Sequence, residues 1–144
     1  MPTPPQRTAL SSDAFRAELD AETQRFRRYN RPFVLLLLRI GREGATTTDA
    51  MKALDAAVAE NVRCTDVFGR FGDDRLAVLL PEQTREVASQ VVARIQNALA
   101  DVAGAAVDAV HYGAADFASE DLIETSRLIE AATAALVDET DRTA

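Results

Sequence analysis

At 144 residues, 47% of them hydrophobic, the chain has the usual size of one domain and enough apolar material for one sizeable core. A formal charge of −7 with a single lysine, Lys52, argues against nucleic-acid partners, which need a clustered basic surface. Cys64 and His111 are each the only residue of their kind, so they read as packing residues, and no disulfide, cysteine metal cluster or cofactor site can be assembled around them.

Residues 1–10, rich in Pro and Thr and without periodicity, are expected to form a flexible arm ahead of a domain at 11–140. From Ser11 the pattern turns helical. Ser12 or Asp13 can cap the start, Phe15, Leu19 and Phe26 share one stripe, and the helix ends near Tyr29 and Asn30, before Pro32. The run Phe33–Leu38 is short for a helix and has no polar alternation, which suits a strand buried on both faces. It is also far short of the ~20 residues that a membrane-spanning helix needs. No charged-then-apolar leader opens the chain, and with the lone cysteine this points to the cytoplasm and to no membrane insertion. Met51, Leu54, Val58 and Val62 recur at three- and four-residue steps and predict a helix over Thr48–Arg63. Val67–Phe68 and Leu76–Leu80 read as antiparallel strands joined through Gly72-Asp73-Asp74, with Pro81 ending the second. Val87, Val91, Val92, Ile95 and Leu99 mark a third helix, and Leu122, Ile129, Ala132 and Leu136 a last one. Ala105–Phe117 between them has room for one or two strands, with Gly113 at a bend or close approach. The order predicts an α/β (α+β) domain with a mixed central sheet of about five strands flanked by helices.

The segment Arg70-Phe71-Gly72-Asp73-Asp74-Arg75-Leu76, continued by an apolar strand to Pro81, resembles the signature hairpin of the GGDEF family of diguanylate cyclases, R-x-G-G-D-E-F. Arg27–Leu38 resembles that family's R-R-Y-x-R-P-L-S-L-L-L-L segment and Val62–Asp66 its V-R-x-x-D. Tyr112–Ala115 is similar to its S-x-G-x-A strand, and Ala132–Leu136 to its A-D-x-A-L-Y helix. Several ordered motifs at family spacing are far more specific than any one alone. The resemblance implies a nucleotidyl-cyclase-like fold. In active members, two GTP-loaded domains face each other around metal ions and make cyclic di-GMP.

The departures from the family fall on that machinery. Arg39-Ile40-Gly41 stands where the family carries D-I-D, which replaces a metal-binding carboxylate with a guanidinium. Asp73 takes the place of the second glycine, Asp74 keeps an acid, and Arg75 replaces the glutamate. A Cβ and a charge at Asp73 crowd the place where the backbone approaches the nucleotide. The stretch between Ile40 and Thr48 is several residues shorter than the family's guanine-holding segment, whose closing Asp falls on Thr48. Thr140 stands where a phosphate-neutralising lysine is usual. Gly72, Asp73, Asp74, Arg75 and Leu76 therefore read as a degenerate signature hairpin. The expectation is a non-catalytic signalling module, not an enzyme, with no metal site and with Arg39 paired to Asp74.

Arg63 and Asp66 keep the family's inhibitory R-x-x-D, a site that binds cyclic di-GMP away from the catalytic centre. Arg94 matches a position where members often carry an arginine that helps the same ligand. The residue types suit guanine, since an arginine fork donates to O6 and N7 and a carboxylate accepts from N–H groups. The plain alternatives are a local ion pair, worth about 0.2–0.5 kcal/mol, and for Arg94 a solvated helix face. The resemblance thus implies a cyclic di-GMP receptor or effector acting through Arg63, Asp66 and Arg94, with a protein partner in a signalling pathway, or a ligand-independent adaptor domain.

Overall fold

The computed structural model describes residues 9–40, 48–63, 65–72, 75–103, 110–116 and 125–143. The first helix, α1 (Ser12–Tyr29), is capped by Ser11, one residue before the expected caps: its backbone is extended and its Oγ accepts the Ala14 N–H at 3.2 Å. The helix stops at Asn30, whose left-handed backbone (φ 54°) lets its N–H donate to the Phe26 carbonyl. Asparagine tolerates that conformation, and Pro32 prevents a restart.

Strand β1 (Phe33–Ile40) follows, and all eight of its residues are buried. Next come α2 (Thr48–Asn61), β2 (Val67–Arg70), β3 (Leu76–Pro81), α3 (Arg85–Ala103), β4 (Val110–Asp116) and α4 (Thr125–Thr143). The sheet order is β2-β3-β1-β4. Leu36 lies opposite Val78 on one side and Ala114 on the other.

Two features of the predicted sheet need correction. Among the described residues it has four strands rather than about five, and every neighbouring pair is antiparallel rather than mixed. The helical crossovers do return parallel strands, β1 to β2 and β3 to β4. However, β3 slots between β1 and β2, and β1 slots between β3 and β4, so no two parallel strands touch. Any further strand in the Ala105–Phe117 stretch, and Leu122 of the last helix, lie outside the described residues.

Alternation along β1 divides the core in two. Val34, Leu36, Leu38 and Ile40 pack with Leu54 and Val58 of α2 and Val91, Val92 and Ile95 of α3. Phe33, Leu35 and Leu37 pack with Phe15, Leu19 and Phe26 of α1 and Leu128, Ala132 and Leu136 of α4. The described elements therefore form a sheet between two helical layers. At the β2 side, Leu10 is held by hydrogen bonds to Phe68 and Arg70, which covers backbone groups of an edge strand. Among the described residues no helix is long and apolar enough to cross a membrane.

Candidate functional site

The turn between α2 and β2 brings the predicted pair together. The helix ends at Asn61 rather than Arg63, because Asp66 bends the chain: its Oδ2 accepts the Arg63 backbone N–H at 2.8 Å, and its own N–H donates to the Arg63 carbonyl at 3.0 Å. The same carboxylate holds the guanidinium, with Nη2 at 3.1 Å from Oδ1 and Nε at 3.5 Å from Oδ2. The Asp66 side chain is 3% exposed and that of Arg63 is 53% exposed. A buried acid thus fixes an arginine whose side chain is half exposed, a stronger arrangement than a fully exposed local ion pair. Arg94 is exposed on α3 and makes no ion pair with any described residue.

Two further groups converge on this arginine. Nη2 donates to the Pro81 carbonyl oxygen at 3.2 Å. With the Gln83 amide oriented by its hydrogen bonding, the amide oxygen accepts from Nη1 at 2.8 Å and Nη2 at 2.9 Å. Sequence reasoning missed both. They lie about twenty residues downstream, and no local pattern links them to Arg63.

At the signature hairpin, the Phe71 N–H donates to the Arg75 carbonyl at 3.0 Å, and Gly72 takes a positive φ of 80° that a residue with a Cβ rarely adopts. The Arg75 guanidinium lies 5.5 Å from the centre of the Phe71 ring, which itself meets Phe15 edge-on. Leu76 is buried at the start of β3. Arg70 reaches back to α2, where Nη2 sits 2.6 Å from Asp55 Oδ2. The other oxygen of Asp55 is buried and has no hydrogen-bond partner among the described residues. Burial raises the Asp55 pKa above its ordinary value, and the Arg70 charge lowers it by less. This pair was also missed, although a carboxylate between Leu54 and Val58 on a docking helix was a signal for it.

Arg39 is 5% exposed near the end of β1 and is paired in register with His111 of β4, 7% exposed. Its expected partner Asp74 lies outside the described residues, as do Asp73, Cys64 and residues 41–47. A guanidinium offers no oxygen to a divalent cation. Among the described residues no group of three His, Cys, Asp or Glu could hold a metal, and the hairpin acids Asp73 and Asp74 lie outside those residues.

The family described as "Diguanylate cyclase, GGDEF domain" matches residues 9–142. The chain belongs to the GGDEF family. No curated protein matches it. Among solved structures, this GGDEF domain is similar to a DGC protein from Thermotoga maritima, with TM-score 0.73 and 20% identity over 91% of this chain and 97% of that one. It is also similar to the coiled coil and GGDEF domain of DgcB from Caulobacter crescentus in complex with c-di-GMP (TM-score 0.72, 16% identity, 93% and 78% covered). A third similar structure is diguanylate cyclase SiaD with its activator SiaC from Pseudomonas aeruginosa (0.72, 19%, 94% and 56%). At these identities the structures show the shared fold.

Family membership overturns the expectation that the chain is not an enzyme. The matched family is that of diguanylate cyclases, and a DGC protein shares the fold over nearly its whole length. That expectation weighed a few strand-end and loop positions, whereas the family match spans residues 9–142. Much of what it weighed, Asp73, Asp74 and residues 41–47, lies outside the described residues.

Proposed function

We propose that this GGDEF domain receives cyclic di-GMP at Arg63, with Asp66 as the residue that sets the arginine and Arg94 as a weaker second cation. The observation that carries this reading is the half-exposed Arg63 side chain, its guanidinium fixed by the buried carboxylate of Asp66. A cation already held in one geometry loses little freedom when an anionic ligand arrives. The planar fork of arginine suits guanine edges and phosphate oxygens alike. In support, a protein of similar fold, DgcB, was crystallised with c-di-GMP. Another, SiaD, was crystallised with an activator protein, which supports a protein partner for this domain in its signalling role. The setting is the reducing cytoplasm, where a lone thiol such as Cys64 stays free.

Titration calorimetry with cyclic di-GMP tests the assignment. Arg63→Ala is expected to weaken binding by about 1.5–3 kcal/mol, the scale of a hydrogen bond to a charged group. Arg94→Ala is expected to cost less, because an exposed charge is screened by water and salt. Full-strength binding by Arg63→Ala removes this site from consideration. A wild-type domain silent at high ligand concentration would leave recognition of a protein partner as the better account.

A further inference from the structure

Arg63 is gripped from two sides. On one side is Asp66, buried and bonded to the arginine backbone. On the other is the turn between β3 and α3, which supplies the Pro81 carbonyl and the Gln83 side chain. A guanidinium has five N–H donors. Asp66 takes the edge formed by Nε and Nη2, while Gln83 accepts from Nη1 and Nη2 together. An acceptor that approaches either of these two edges has to compete with one of these groups.

They differ in how readily they yield. Asp66 is enclosed, and the Pro81 carbonyl belongs to the backbone. Gln83 is half-buried, uncharged, and turns about three side-chain torsions. The turn that carries it is itself fixed. Glu82, between Pro81 and Gln83, has φ 59°, an unfavourable conformation for a residue with a Cβ. It is held there by its N–H on the Pro32 carbonyl at 2.7 Å and by its carboxylate on Arg31 at 3.1 Å. The backbone thus keeps Gln83 next to Arg63 while its amide remains free to swing away.

We propose that Gln83 is an occluding residue that covers the Arg63 guanidinium in the ligand-free domain and sets the affinity and selectivity of the site, an inference that rests on the reading of Arg63 as the ligand contact. Binding exchanges the neutral amide oxygen of Gln83 for a ligand acceptor. A phosphate oxygen wins that exchange, because a hydrogen bond between two charged groups is stronger than one to an amide. A neutral guanine edge alone gains little. The site accordingly selects ligands that bring an anionic oxygen to Arg63.

The test compares wild type, Gln83→Ala and Gln83→Glu by calorimetry with cyclic di-GMP, and by phenylglyoxal modification of Arg63 in the ligand-free proteins, followed by mass spectrometry. Gln83→Ala is expected to bind about three- to tenfold more tightly, the equivalent of one ordinary hydrogen bond no longer displaced. Gln83→Glu replaces the amide by a carboxylate that pairs with Arg63, and is expected to bind about tenfold more weakly or worse. Modification of Arg63 should run fastest in Gln83→Ala and slowest in Gln83→Glu. Unchanged or weaker binding by Gln83→Ala overturns the proposal, as does equal modification in all three proteins. If none of them binds cyclic di-GMP while the order of modification holds, occlusion of Arg63 stands and the ligand assignment is what fails.

Discussion

Asp55 sits where two opposing effects on a carboxylate can be separated. Arg70 lies 2.6 Å from one oxygen, while the other is buried and has no hydrogen-bond partner among the described residues. Burial is the larger influence, so the pKa rises above the ordinary 3.8 despite the arginine. A carboxylate whose pKa is raised by folding makes the native state bind more protons than the unfolded chain, so its contribution to stability is fully present below 3.8 and is lost as pH rises through the raised value. An amide at this position does not titrate. The stability of Asp55→Asn relative to wild type should therefore increase from below pH 3.8 to neutrality in urea denaturation, and a difference that moves the other way would mean that the attraction of Arg70 dominates. The pairing of Arg63 with Asp66 was legible from a three-residue spacing at a helix end. What could not be read was the burial of Asp66, which depends on how the turn packs, or the approach of Gln83, which depends on the end of β3 meeting the turn after α2.

At the scale of elements, Gly113 in β4 is where a strand and a helix come closest. A Cβ built on it would collide with the Ala132 carbonyl oxygen and the Leu136 amide nitrogen, both backbone atoms of α4. Neither can rotate aside, so the helix itself has to shift. Gly113→Ala is expected to destabilise the domain by about 1–3 kcal/mol, the usual range for overpacking, and urea denaturation followed by circular dichroism would detect it as a lower midpoint. A midpoint equal to wild type would show that α4 is not seated on β4 in this way. The close approach at Gly113 was legible because a glycine inside a strand pattern marks a bulge or a place where another backbone comes near. The helices were legible from apolar stripes that the two core layers account for, and β1 from an apolar run without alternation. The antiparallel pairing of every neighbour was not. Periodicity reports which face of an element is buried but not which strand lies beside it, and the positions of β3 between β1 and β2 and of β1 between β3 and β4 are decided by long-range contacts.

In the molecule as a whole, β1 is one of the strands that both cores share. Leu35 faces α1 and α4 and Leu36 faces α2 and α3, yet they are adjacent in the chain and both fully buried. Melting either helical layer would expose alternate residues of a strand whose other face is still packed, and would uncover the backbone pairs β1 makes with β3 and β4. Each exposed Leu or Phe would forfeit about 1.5–3 kcal/mol of burial, so losing one layer removes much of what holds the other. The domain is therefore expected to unfold in one transition, as is common for chains of under 150 residues. Leu35→Ala and Leu36→Ala should each cost about 2–5 kcal/mol, the range for a buried leucine whose neighbours cannot collapse into the space. Both should shift the same transition, seen alike by far-ultraviolet circular dichroism and by tyrosine fluorescence from Tyr29 on α1 and Tyr112 on β4. If Leu35→Ala instead split the curve, with fluorescence and circular dichroism reporting different midpoints, the two layers would be separate folding units and β1 would not couple them.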